Sequence, residues 1–396
     1  MNEITDKYSA DYDGFSLVSG GLIYSIMKLF QKSEDPVKSR RGRAFIFALL
    51  AWLPLGVLAV FEGTIFPEAM GINFIQDFET HVRFLFAVPF LILIEKLVDS
   101  SFINYIKTSD NLIVDKQQPA FNKMVSNVNK LSNLYLPEII ILIIIYSLIF
   151  ITWDDHFLIE SSKNYLYNQQ DETPTLAGFY YLFVSFPIYQ LLLFRWFWRF
   201  IIWVYSILKI SSFTFQIEAV NIDQMAGLTY LNQVPMLFSY IFFALAAVLS
   251  SSLGLDIVFE GVSLKNNYLN ILFFVILGPV LLYAPLLVFI PLLIETKSKA
   301  IHGMGNLVAK HNLDYMKKWV YNKPPSNEPI LGSMDNSSLS DINAAYEPVI
   351  KMKLVPINFK MFLLSCTILL LPFIPLAFTY YSFMDLFGMI IKSAFG

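Results

Sequence analysis

Seven continuously apolar blocks punctuate the chain, at Ala44–Phe61, Val82–Phe102, Tyr135–Trp153, Leu176–Phe197, Pro235–Leu253, Leu269–Ile294 and Phe359–Ser382. A helix crosses a hydrocarbon core with about 20 apolar residues. Outer-membrane strands are shorter and alternate apolar with polar positions. The pattern therefore predicts an all-α, polytopic integral membrane protein of about seven transmembrane helices. It divides the chain into an N-terminal segment (1–43), a helical bundle (44–382) with a polar helical loop (296–358), and a short tail (383–396).

Basic residues orient these spans. Of the 28 Lys and Arg, all but Arg83, Lys163, Lys265 and Lys392 fall on one side if the N-terminus is cytoplasmic. By the positive-inside rule this predicts a cytoplasmic N-terminus and an outer C-terminus. A G-protein-coupled receptor has the reverse orientation. A retinal protein needs a lysine deep in its last span, where this chain has only Lys360, at the edge. Composition agrees with a membrane location: 56% of residues are hydrophobic and 15% charged, against about a quarter charged in average soluble chains. Cys366 is the single cysteine, so neither a disulfide framework nor a cysteine-based metal site is expected. The N-terminal residues lack a signal-peptide pattern.

Three polar stretches carry further pattern. In residues 15–30, Phe15, Val18, Leu22, Ile26 and Leu29 share one helical face, and Lys28, Lys32, Lys38, Arg40, Arg41 and Arg43 follow. This predicts an interfacial helix with a basic anchor to anionic lipid. Residues 107–134, rich in Asn and Lys, read as a solvated segment. After the sixth block, Ile301, Met304, Val308, Tyr315 and Trp319 continue the helical period. "NKPPSNEP" breaks it, and Ser338 with Asp341 resembles a capping box for a second amphipathic helix. These two helices are expected to bury a face against each other or the membrane, or to present a docking surface.

Ionisable groups at membrane depth are the strongest functional pointers, because each costs several kcal/mol unless paired or hydrated. Only eleven apolar residues, Phe84–Ile94, separate Arg83 from Glu95. They cover ~16 Å at 1.5 Å per residue, so charges at one end of this span enter the membrane. His81, Glu95 and Asp99 fall within about 40° on a helical wheel and form one polar stripe. In "LLLFRWFWRFIIW" (191–203), Arg195 lies nineteen residues after Leu176, ~28 Å along a helix. Arg199 follows on the same face. Two readings are open. Arg195 and Arg199 pair with Glu95, Asp99 and Glu138 in one network, or both snorkel among lipid phosphates with the neighbouring tryptophans in the aromatic belt.

On the outer side, Glu62, Asp77, Glu79, His81 and Arg83 gather in the first loop. One histidine among scattered carboxylates is a weak metal signal, and a solvated acidic loop is the plainer reading. His156, His302 and His311 lie in loops or the helical extension, so no histidine pair across spans suggests haem ligation. No cofactor and no metal are expected. Gly278, Pro279 and Pro285 interrupt the sixth block and mark a hinge, either a broken helix lining an ion site or a kink that shapes packing. Ala244, Ala247, Ser251 and Gly254 give the fifth block a small-residue face. No catalytic motif nominates a nucleophile, so an enzyme is not expected.

The Arg195-Trp196-Phe197-Trp198-Arg199 run resembles a poorly characterised family of bacterial polytopic membrane proteins. So do "THVRFLFAVPFLILIEKLV", "EAVNIDQMAGLTYL" (218–231) and "ILGSMDNSSLSDINAAYEPVIKMKLVP" (330–356). In that family an H-P-D-x-x-G-G-L-like segment follows the run. This chain keeps Asp223, Gly227 and Leu228, with Asn221 in place of His and Ala226 in place of the first Gly. The departure argues against His-dependent chemistry. The resemblance implies a multi-pass protein of the bacterial inner membrane and supplies no reaction. The residues themselves allow two roles for Asp223: capping a helix start, or a re-entrant turn near Arg195 and Arg199. The expected function is passage of a small ion or solute; the alternative is a membrane scaffold or sensor whose cytoplasmic helices bind a partner protein. Expected partners are anionic lipid and a small ion or solute. A second copy of the chain or a cytosolic protein stays open, and nucleic acid is not expected.

Overall fold

The computed structural model describes residues 15–18, 20–21, 24–25, 36–66, 71–152, 162–168, 173–321, 330 and 334–378. Among these, secondary structure is almost wholly helical. The helices are α1 (Pro36–Phe61), α2 (residues 78–93), α3 (Glu95–Leu112), α4 (Gln118–Ser132) and α5 (Leu136–Ile151), then α6 (Leu176–Ile210), α7 (Gln233–Phe259), α8 (residues 264–321), α9 (Met334–Lys351) and α10 (Phe359–Ala377). One two-stranded hairpin pairs Tyr167–Asn168 with Thr173–Pro174. Six helical stretches, containing α1, α5, α6, α7, α8 and α10, are long and apolar enough to cross a membrane. The chain is thus a multi-pass helical membrane protein.

The second apolar block behaves differently from the other six. Its helix α2 runs sixteen residues and stops at a turn at Ile94, after which the polar α3 begins. Phe84, Ala87, Val88, Leu91 and Ile92 of α2 are fully buried, and the helix packs against α1, α6 and α7. A short helix wedged among longer ones needs no lipid-facing surface all round, so charged residues are tolerated at both its ends.

Both α2 and α6 contain a π-helical turn, at Val82–Ala87 and Tyr181–Ser185. Pro89 and Pro187 explain them. Proline lacks an N–H and leaves the carbonyl four residues earlier without its helical donor, so the helix widens. In α6 that carbonyl, Phe183 O, instead accepts from the Tyr146 hydroxyl at 3.0 Å. In α8, Pro285 falls in a 3-10 stretch, Ala284–Phe289, between α-helical halves. Gly278 admits α10: a Cβ there would lie 2.6 Å from Leu369 Cδ2. Pro279 sits inside the helical run. The candidate hinge is therefore a packing notch followed by a change of helical pitch.

Several expectations are corrected. Residues 15–21 are not helical where described; Phe15, Leu17 and Val18 are buried in the bundle. Leu22, Ile26 and Leu29 lie outside the described residues. Residues 107–134 are not a solvated segment, because α4 buries Phe121, Met124, Val125 and Val128 and packs on α6. Ser338 does not cap a helix, since α9 begins four residues earlier, at Met334. The α8 extension and α9 do pack together. Lys318 Nζ meets Asp335 Oδ2 at 2.6 Å, Trp319 donates to the same oxygen at 3.0 Å, and the Tyr315 hydroxyl bonds Asn336 at 2.9 Å. Lys297 ties the hairpin down by donating to the Ile350 and Met352 carbonyls. The breaker "NKPPSNEP" lies outside the described residues.

Candidate functional site

Arg195 and Arg199 do not snorkel. They are 2% and 1% exposed, because α6 continues fifteen residues past Arg195 and its whole Arg-bearing face is covered. Arg195 Nη1 bonds Glu95 Oε1 at 2.5 Å, and its Nε lies 3.3 Å from Glu138 Oε1. Arg199 Nη2 lies 3.9 Å from the same Glu138 oxygen. Two arginines and two carboxylates thus form a charge-balanced cluster from α2/α3, α5 and α6. Burying either charge alone would be prohibitive; mutual pairing and hydrogen bonding offset the desolvation.

Backbone carbonyls complete the cluster, and these were invisible in the sequence. Arg195 Nη2 donates to Val18 O, and Arg199 donates to Gly20 O and Ser132 O. The N-terminal residues therefore cross the cluster as a strap. Asp99 fastens the strap rather than joining the ion pairs: its carboxylate accepts from Ser16 Oγ at 2.8 Å and from the Leu17 amide at 2.7 Å. Phe15 stacks on Phe102 with centroids 5.7 Å apart. Two glycines are obligatory here. Gly21 has φ +92°, and a Cβ on it would collide with the Glu138 carboxylate; one on Gly20 would collide with Asn133 and the Ser132 carbonyl.

A second charge-balanced cluster sits at the other end of α2. Lys163 Nζ lies 3.1 Å from Asp77 Oδ2 and 3.0 Å from Glu79 Oε2. Arg83 bonds Glu79 and the Tyr181 hydroxyl and lies over the rings of Phe186 and Tyr189. Asp77 also accepts from the Tyr165 hydroxyl at 2.7 Å and from Thr80 Oγ1 at 2.8 Å. Asp77 is fully buried and Lys163 is 5% exposed, so the expected solvated acidic loop is instead a buried ion network. Burial would raise the Asp77 carboxyl, but the Lys163 charge and the bonds from Tyr165 and Thr80 outweigh it and hold it below its ordinary range. His81 stands apart, accepting from Trp52 Nε1 at 2.8 Å with its ring edge-on to Phe74. Glu62 accepts from the Leu176 amide.

Lys163, Tyr165 and Tyr181 escaped sequence reasoning. A signal existed: Arg83 and Lys163 are two of the four basic residues that break the charge asymmetry, and the fold brings both to Glu79.

The two clusters share a pair of helices. Arg83 of α2 meets Tyr181 of α6, and Glu95, just past α2, meets Arg195 of α6. Twelve residues separate the first pair of positions and fourteen the second, ~18 and ~21 Å of helix. So α2 and α6 run in the same direction and are joined near both ends of α2, with both π-turns beside the Arg83 latch. Beside the Arg195 latch Trp196 Nε1 donates to Leu91 O at 3.1 Å.

Asp223 lies elsewhere. Its carboxylate accepts from the amides of Met225, Gly227 and Thr229 and makes no ion pair with Arg195 or Arg199. It caps a tight loop in which Gln224 and Ala226 take positive φ, 59° and 54°. Those bonds lower its carboxyl against the opposing effect of burial. Among the described residues no group of three or more His, Cys, Asp or Glu could hold a metal ion. Comparison with family models, curated proteins and solved structures finds no match to the chain.

Proposed function

We propose that this protein passes a small ion or solute across a bacterial inner membrane, with α2 and α6 as the moving pair. In this reading the chain crosses seven times, N-terminus cytoplasmic and C-terminus outside, and α2 with the start of α3 is the short seventh crossing. The observation that carries it is the pair of charge-balanced ion clusters that join α6 to the two ends of α2. A path between α2 and α6 then has a latch at each mouth. Opening one latch hydrates its charges while the other stays dry, which keeps the two faces from connecting. The π-turns support this, because such local widening is frequent at functional sites. The N-terminal strap covers the Arg195 latch and must leave when it opens.

Cysteine accessibility tests the arrangement. Val88 is fully buried on α2 between the latches. Val88→Cys in a Cys366→Ser background is expected to resist a membrane-impermeant thiol reagent. With Arg195→Gln added it should react from the N-terminal side, and with Arg83→Gln from the opposite side. Persistent protection in both double variants contradicts the reading.

A specific observation favours partner binding as a second reading. The hairpin of α8 and α9 holds Leu307, Leu313, Val320 and Met334 exposed. Co-purification of a cytosolic protein, lost on deleting residues 324–353, would support it.

A further inference from the structure

The basic anchor at the start of α1 contains a buried charge that no carboxylate among the described residues neutralises. Arg43 is 5% exposed, yet among the described residues it has no ion-pair partner; its guanidinium rests 5.2 Å from the centre of the Tyr24 ring. Its Nε is buried without a hydrogen-bond acceptor, as are those of Arg40 and of the ion-paired Arg195 and Arg199, so the absent carboxylate is what sets it apart. These residues are three apart on a helix, hence neighbours on one face. A buried guanidinium ordinarily finds a carboxylate, as Arg83, Arg195 and Arg199 all do here. Among the described residues, Arg43 departs from that pattern.

We propose that Arg40 and Arg43 form a discrete site for one phosphate group, that of an anionic phospholipid headgroup. Depth favours this ligand. The apolar part of α1 begins at Arg40, so the two guanidinium groups stand where headgroup phosphates meet the hydrocarbon boundary. Chemistry favours it too. A planar guanidinium with spare N–H donors matches phosphate oxygens in a fork geometry that an ammonium cannot offer. Arg41, between the two, is exposed and serves the bilayer surface only as diffuse charge. The site is independent of whether the protein transports anything.

The test uses the full-length protein, purified in detergent and supplied with phosphatidylglycerol, with bound lipid read by native mass spectrometry. The wild type should retain one phosphatidylglycerol in preference to phosphatidylcholine. Arg43→Gln and Arg40→Gln should each weaken retention about tenfold, the effect of losing one charge-assisted contact. Arg41→Gln should leave it unchanged. Arg40, only partly buried, keeps the test open if Arg43→Gln does not fold. Millimolar inorganic phosphate should fail to displace the lipid. Equal retention in wild type and both site variants overturns the proposal, as does an equal loss in Arg41→Gln. Displacement by inorganic phosphate overturns the headgroup as its ligand.

Discussion

Arg195 on α6 and Glu95 at the start of α3 meet at 2.5 Å with both side chains nearly inaccessible to solvent. Removing one partner leaves the other buried and uncompensated, which costs about 3–5 kcal/mol. Glu95→Gln and Arg195→Gln are each expected to lower the thermal unfolding midpoint strongly. The double variant should lose clearly less than the sum. Additive losses in that cycle would show that the two groups act apart.

Gly21→Ala addresses the strap. The substitution imposes a side chain on a φ of +92° and drives it into Glu138. The expected cost is about 1–3 kcal/mol, borne locally. Amide exchange at Leu17 and Val18, whose N–H groups bond Asp99, should accelerate, while amides of α7 keep their protection.

Asp77 gives the second cluster a pH signature. Its folded carboxyl is held below its ordinary value of 3.8, so the unfolded state takes up the proton first. Its stabilising contribution is complete above pH 3.8 and disappears as pH falls through the lower, folded value. Wild type should lose stability in that acid window. Asp77→Asn, less stable at neutral pH, should show a smaller acid-induced loss there, measured by intrinsic fluorescence across pH 6 to 2.

Asp223→Ala removes the acceptor of three backbone amides in a loop with two non-glycine residues at positive φ. A loss of about 1–2 kcal/mol is expected, as for other capping residues. Asn should recover part of it, since its amide oxygen still accepts. Full stability in the Ala variant would remove Asp223 from the loop's supports.

Much of this architecture was legible because bilayer physics writes itself into sequence. The apolar blocks at α1, α5, α6, α7, α8 and α10 needed only length and composition. The pairing of Glu95 and Glu138 with Arg195 was one of two readings the sequence left open, and counting to a common depth matched Asp99 with Arg195, whereas Asp99 binds the strap. The strap did not follow, since its contacts are backbone carbonyls and a carboxylate more than 80 residues away. Periodicity in residues 15–30 pointed to a helix, but Asp99 and the two arginines offer residues 16–20 better hydrogen-bond partners than a helix at an interface would. The second cluster was hidden for a similar reason. Lys163 and Tyr165 lie in a polar connection whose local pattern says only "loop", and the bond from the Ile72 amide to Ser162 O docks it.

Flux across a reconstituted bilayer tests the transport reading most directly. Wild-type protein in sealed vesicles, probed with proton, sodium, potassium and chloride gradients, is expected to pass at least one of these ions faster than empty vesicles. Glu95→Gln, confirmed folded, should change that flux about tenfold or more, the size of one lost buried charge contact. Flux indistinguishable from empty vesicles for all four ions, or unchanged in both Glu95→Gln and Arg83→Gln, would contradict it.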